Sequence, residues 1–73
     1  MKLIATQEAG MNRADQILAE ITNEDHLIVV KQQARRLTNY GYGRYSDACW
    51  LAVKNYKEGR LDPDLQAYIT QEA

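Results

Sequence analysis

Asn23-Glu24-Asp25-His26-Leu27-Ile28-Val29-Val30-Lys31-Gln32-Gln33-Ala34-Arg35-Arg36-Leu37-Thr38 is the stretch on which the fold class turns. Its apolar block, Leu27 to Val30, fits a short buried strand as well as a helix when taken alone. The surroundings favour a helix. Asn23 is a capping residue, Glu24 and Asp25 put negative charge in a first turn, and Lys31, Arg35 and Arg36 suit the later turns. Leu27, Val30, Ala34 and Leu37 keep helical spacing, and nothing nearby supplies a partner strand. The stretch is therefore read as a helix running to about Thr38.

Upstream, Asn12 caps a helix expected from Arg13 to about Thr22, with Ala14, Ile17, Leu18 and Ile21 as its apolar stripe. Residues 1–11 are expected to form a flexible arm whose large apolar residues are Leu3 and Ile4. Downstream, Asn39-Tyr40-Gly41 reads as a helix stop, and Gly43 adds a second permissive position in a tyrosine-bearing loop. Ser46 is placed as the cap of a third helix from Asp47 to about Glu58, which Gly59 ends. Asp62-Pro63-Asp64 then starts a last short helix with a capping aspartate and proline at the first helical position. The expected fold is all-α: a compact bundle of three to four short helices, with residues 12–73 as one small domain. Its expected core is Leu18, Ile21, Leu27, Val30, Leu37, Trp50, Leu51, Leu65 and Ile69.

The bulk properties of this 73-residue chain limit the function classes. A core of this size is small, and folding is marginal without further support. Hydrophobic residues at 45% and charged residues at 26% are globular values. The longest apolar run, Ala48 to Val53, is six residues, too short for a membrane span, and the amino terminus does not resemble a secretory signal. A single cysteine, Cys49, leaves no internal disulfide and no argument for export, so a cytoplasmic location is expected. The net charge of −1 is unevenly spread: residues 1–34 carry −2, residues 35–60 carry +4 and residues 61–73 carry −3. A basic middle between acidic ends favours steering toward an acidic partner.

Catalytic chemistry has little support. Cys49 falls on the expected apolar side of a helix, and His26 follows two acidic residues at a helix start, where an exposed position is expected. Asp62 and Asp64 are explained by capping and the helix dipole. One histidine and one cysteine do not make a zinc site. Gly41-Tyr42-Gly43 follows a helical pattern and lacks the lysine and hydroxyl of a phosphate loop. No cofactor or metal is expected.

Binding chemistry is better represented. Arg35, Arg36, Tyr40, Tyr42, Arg44, Tyr45, Lys54 and Arg60 fall in one basic, tyrosine-rich segment, and tyrosine and arginine are favoured at protein interfaces. Together with Leu3 and Ile4 of the arm they are the expected partner-binding residues. The same segment suits a DNA- or RNA-binding regulator, with arginines on phosphates and tyrosines stacked on unpaired bases. Against that stand the pI of about 5.7 and a loop too long for a helix-turn-helix. The opening turn Asp47-Ala48-Cys49 is also wrong for base contacts.

In length, loose amino terminus and basic, aromatic helical body from Arg35 to Arg60, the chain resembles small bacteriophage-encoded regulators that bind host RNA polymerase. These are of the transcription-antitermination type known from a Xanthomonas phage. The resemblance implies a non-enzymatic protein in the host cytoplasm with bacterial RNA polymerase as partner. It also implies that promoter-dependent initiation is blocked and that elongation reads through terminators. No functional residue is carried over from it.

Overall fold

The computed structural model describes residues 12–72 and contains four helices in that range: α1 (Arg13–Leu18), α2 (Glu24–Asn39), α3 (Tyr45–Glu58) and α4 (Pro63–Glu72). The expected arm at residues 1–11, with Leu3 and Ile4, lies outside the described residues. The expected all-α architecture is observed, and the Leu27–Val30 block is helical. Val29 and Val30 are both buried, but in two different apolar clusters, as two faces of one helix require.

Two asparagines start the first helices. Asn12 Oδ1 accepts from the Asp15 N–H at 2.9 Å, and Asn23 Oδ1 accepts from the N–H groups of Asp25 and His26 at 2.9 and 3.1 Å. Two glycines stop α2 and α3. Gly41 (φ +86°) and Gly59 (φ +71°) adopt the left-handed conformation. Beyond each, an N–H returns to the last turn: Tyr42 to Leu37 O at 3.0 Å, and Arg60 to Asn55 O at 2.7 Å.

The larger cluster joins α1, α2 and α3 through Ala14, Leu18, Ile21, Val30, Ala34, Ala48, Cys49, Ala52 and Val53. Five of these nine are alanine or cysteine at full or nearly full burial on α2 and α3 or at the start of α1, so the helices meet closely at small side chains. A smaller cluster of Val29, Leu61 and Leu65 seats α4 on the other side of α2. Polar ties reinforce that second contact. Gln33, only 1% exposed, accepts the Asp62 N–H at 2.7 Å, and Gln66 accepts the Leu61 N–H at 3.2 Å.

Several expectations need correction. Trp50 is 51% exposed and is not a core residue. The inner side of α3 is occupied by Ala48, Cys49, Ala52 and Val53, which leaves Trp50 on the flank, and the six-residue α1 is too short to cover it. Leu27, Leu37, Leu51 and Ile69 are half-buried at the margins, whereas Leu61, Val29 and Gln33 belong to the interior. Helix α1 ends at Leu18, not Thr22, because a tight turn from the Ile21 N–H to Leu18 O (3.0 Å) drops Ile21 into the core. Ser46 does not cap α3. The helix begins at Tyr45, two residues before the expected Asp47, with Arg44 in the capping position. His26 is half-buried, with Nδ1 2.7 Å from the Tyr56 hydroxyl and the rings edge-on.

Candidate protein-binding surface

The tyrosine loop owes its course to the two glycines after α2. Gly41 reverses the chain and Gly43 (φ +122°) turns it into α3, so Tyr40 stands 73% exposed and Tyr42 45% exposed. A Cβ on Gly43 would lie 3.6 Å from Asp47 Oδ2, which places that carboxylate beside the loop. Along α3 the outward positions Asp47, Trp50, Lys54 and Lys57 follow at helical spacing. Lys54 Nζ lies 5.5 Å from the Trp50 ring centroid, within cation–π range.

Between this flank and α1 lies an open groove of about 500 Å³. Ile17 and Val53 line it with the Trp50 ring and the Lys54 stem, and the Lys57–Glu20 ion pair (2.6 Å) closes one end. At the other end a hollow of about 250 Å³ is walled by Arg13, Tyr42, Asp47 and Trp50. Trp50 is shared, so groove and hollow form one surface. Among the described residues, neither Arg13 nor Lys54 has a carboxylate within ion-pair distance.

The expected partner-binding residues are thus dispersed. Tyr42 and Lys54 meet at the Trp50 surface. Tyr45, at 38% exposed, lines neither the groove nor the hollow. Burial, then the Cys49 neighbour, pushes the Tyr45 phenol above its usual range. Tyr40, Arg44 and Arg60 are exposed, Arg60 with a 4.0 Å contact to Glu58. Arg36 is engaged within the fold: its guanidinium donates to Asp62 at 3.0 Å and to both Asp64 oxygens at 2.8 and 2.7 Å. That pairing raises the already high Arg36 pKa and draws the Asp64 carboxyl down to about 2.

Arg13, Ile17, Trp50 and Val53 were not singled out by sequence reasoning as a surface. A usable signal exists: Ala48, Leu51, Ala52, Trp50, Val53 and Tyr56 make an apolar arc on α3 too wide for one buried stripe. The Cys49 thiol is fully buried, and desolvation raises its pKa, so the reactive thiolate is disfavoured. Among the described residues, no three histidine, cysteine or acidic side chains converge on a metal position. No helix there is long and apolar enough to cross a membrane.

No protein-family model matches the chain, and no curated protein or solved structure shows significant similarity to it.

Proposed function

We propose that the chain is a non-enzymatic regulatory protein that acts by binding another protein through the Trp50 surface. The supporting observation is a half-exposed tryptophan beside an open groove floored by Ile17 and Val53 and continued by Tyr42. Burying such a ring on a partner removes much apolar area from water, and tryptophan is among the side chains most often dominant in interface energetics. The candidate partner is bacterial RNA polymerase, taken from the resemblance to phage-encoded regulators. Inhibition of initiation or antitermination would be the consequence of that contact.

A second reading is direct binding of DNA or RNA. It draws on Arg35, Arg44 and Lys54, which have no ion-pair partner among the described residues, and on the exposed Tyr40. Arg36 is withdrawn from it by Asp62 and Asp64.

Capture from nuclease-treated bacterial lysate tests both. Retention of polymerase subunits by the native chain, and their loss with Trp50→Ala, is the expected result. Retention unaffected by Trp50→Ala overturns the surface. Loss of polymerase on nuclease treatment moves the assignment to nucleic acid.

A further inference from the structure

The rim charges of the α1–α3 groove are not equivalent. Lys57 is neutralised by Glu20 at 2.6 Å. At the centre Lys54 leans on the Trp50 ring, and at the hollow Arg13 faces the region of Asp47. With Glu20 and Lys57 cancelling, the charges left are Lys54, Arg13 and Asp47, an excess of one positive charge, along a groove whose apolar lining is Ile17, Trp50 and Val53 and a more polar hollow beyond it. The trough follows α3 from Asp47 to Lys57, about three helical turns, and is flanked on the other side by the six-residue α1 and the turn after it, from Arg13 to Glu20. That length matches the apolar stripe of a partner helix with anchors at i, i+3 or i+4, and i+7.

We propose that this groove takes an acidic amphipathic segment of a partner protein. Apolar side chains enter between Ile17, Trp50 and Val53, and carboxylates flanking them meet Lys54 and Arg13. The proposal rests on the reading of the Trp50 face as the protein-binding surface, and it adds the chemistry of what binds there. A basic segment would leave Lys54 facing like charge across a desolvated rim, which selects against it.

Trp50 is the only tryptophan in the chain, so its fluorescence reports on the groove directly. The probes are two synthetic helix-forming peptides with leucines at i, i+4 and i+7, one flanked by glutamates and the other by lysines. The acidic peptide is expected to give a saturable blue shift that weakens as salt is raised, with a much smaller response to the basic one. Lys54→Glu, an exposed change whose folding circular dichroism checks, is expected to weaken the acidic peptide by roughly five-fold or more and to favour the basic one. Equal response to both peptides, no response to either, or an unchanged preference in Lys54→Glu would overturn the proposal. Polymerase capture that is lost with Trp50→Ala but indifferent to Lys54→Glu would remove the acidic partner while leaving the surface in place. Capture indifferent to Trp50→Ala would remove the surface itself.

Discussion

On one side α2 packs Val30 and Ala34 against α1 and α3, whereas Val29, one residue earlier, turns to Leu61 and Leu65 of the α4 segment. The first contact is a nine-residue apolar cluster, dense in small side chains and free of buried charge. The second buries three aliphatic residues and adds a set of polar braces: Gln33 to Asp62, Gln66 to Leu61, and Arg36 to Asp62 and Asp64. Apolar burial scales with area and is non-directional, so it supplies the stability of the three-helix unit. Hydrogen bonds contribute less each but fix geometry, and they set where α4 lies. The difference implies that α4 opens at lower free energy than the rest of the described chain.

The largest test of this difference is a pair of truncations. Leu18→Ala, at a side chain 4% exposed in the main cluster, is expected to cost about 2–5 kcal/mol. For a domain of this size that approaches the whole stability, so loss of helical circular dichroism at room temperature is expected. Leu65→Ala deletes an equally buried leucine in the smaller cluster. Its expected outcome is local: fast amide exchange through α4 with protection retained in α2 and α3. Equal global unfolding by both changes would show the two regions to be one cooperative unit.

Gln33→Leu comes next. The change roughly keeps side-chain volume and removes the oxygen that accepts the Asp62 N–H, so a part-buried donor is orphaned at a cost of about 1–3 kcal/mol. A lowered melting temperature with accelerated exchange at the start of α4 is expected. An unchanged melting temperature would mean that water replaces the glutamine and that the brace is dispensable.

How much of this was legible in the sequence follows from the range of each interaction. Caps at Asn12 and Asn23, stops at Gly41 and Gly59, and the stripe Val30-Ala34 are local features, and each was readable from spacing and residue type. Gln33 is a polar residue outside the Leu27, Val30, Ala34 and Leu37 stripe, and it is buried all the same. It lies four residues after Val29, on the face that α4 covers, and nothing local says that a helix returns there. The same holds for Arg36, whose partners Asp62 and Asp64 are 26 and 28 residues away. Their capping role was visible, their ion pair was not. Trp50 was misplaced because its burial depends on whether a neighbour is long enough to cover it, and α1 stops at Leu18. The basic tyrosine segment is readable as aromatic, but which of its residues share a surface is not: Tyr42 joins Trp50, whereas Tyr45 opens α3 outside that hollow.

Tyr56 spans the two regions, since its ring packs against both clusters and its hydroxyl reaches His26 Nδ1 at 2.7 Å. Tyr56→Phe keeps the ring and deletes the hydroxyl, so about 0.5–1.5 kcal/mol of destabilisation is expected from thermal melts. No loss would assign the residue's contribution to ring packing alone.

The smallest expected effect isolates the outermost brace of α4. Arg36 hydrogen bonds hold the Asp64 carboxyl well below its usual 3.8, at about 2. A carboxylate whose pKa is lower folded than unfolded stabilises the folded state above the unfolded value, and loses that contribution as pH falls through the folded one. The contribution is therefore complete above pH 3.8, declines below it, and is gone once pH has passed about 2. The Arg36 guanidinium stays charged throughout, so the window belongs to the carboxylate. Because the Asp64 side chain is 64% exposed, solvent and salt screen the pair and keep the effect modest. Melting temperatures of the native chain and Asp64→Asn, followed from neutral pH into acid, are expected to differ above pH 3.8 and to converge toward pH 2. Added salt is expected to narrow the neutral-pH difference. Parallel curves across the whole range would show that the Arg36–Asp64 contact is geometric only, and would leave Gln33 and the three buried aliphatics as what holds α4 to α2.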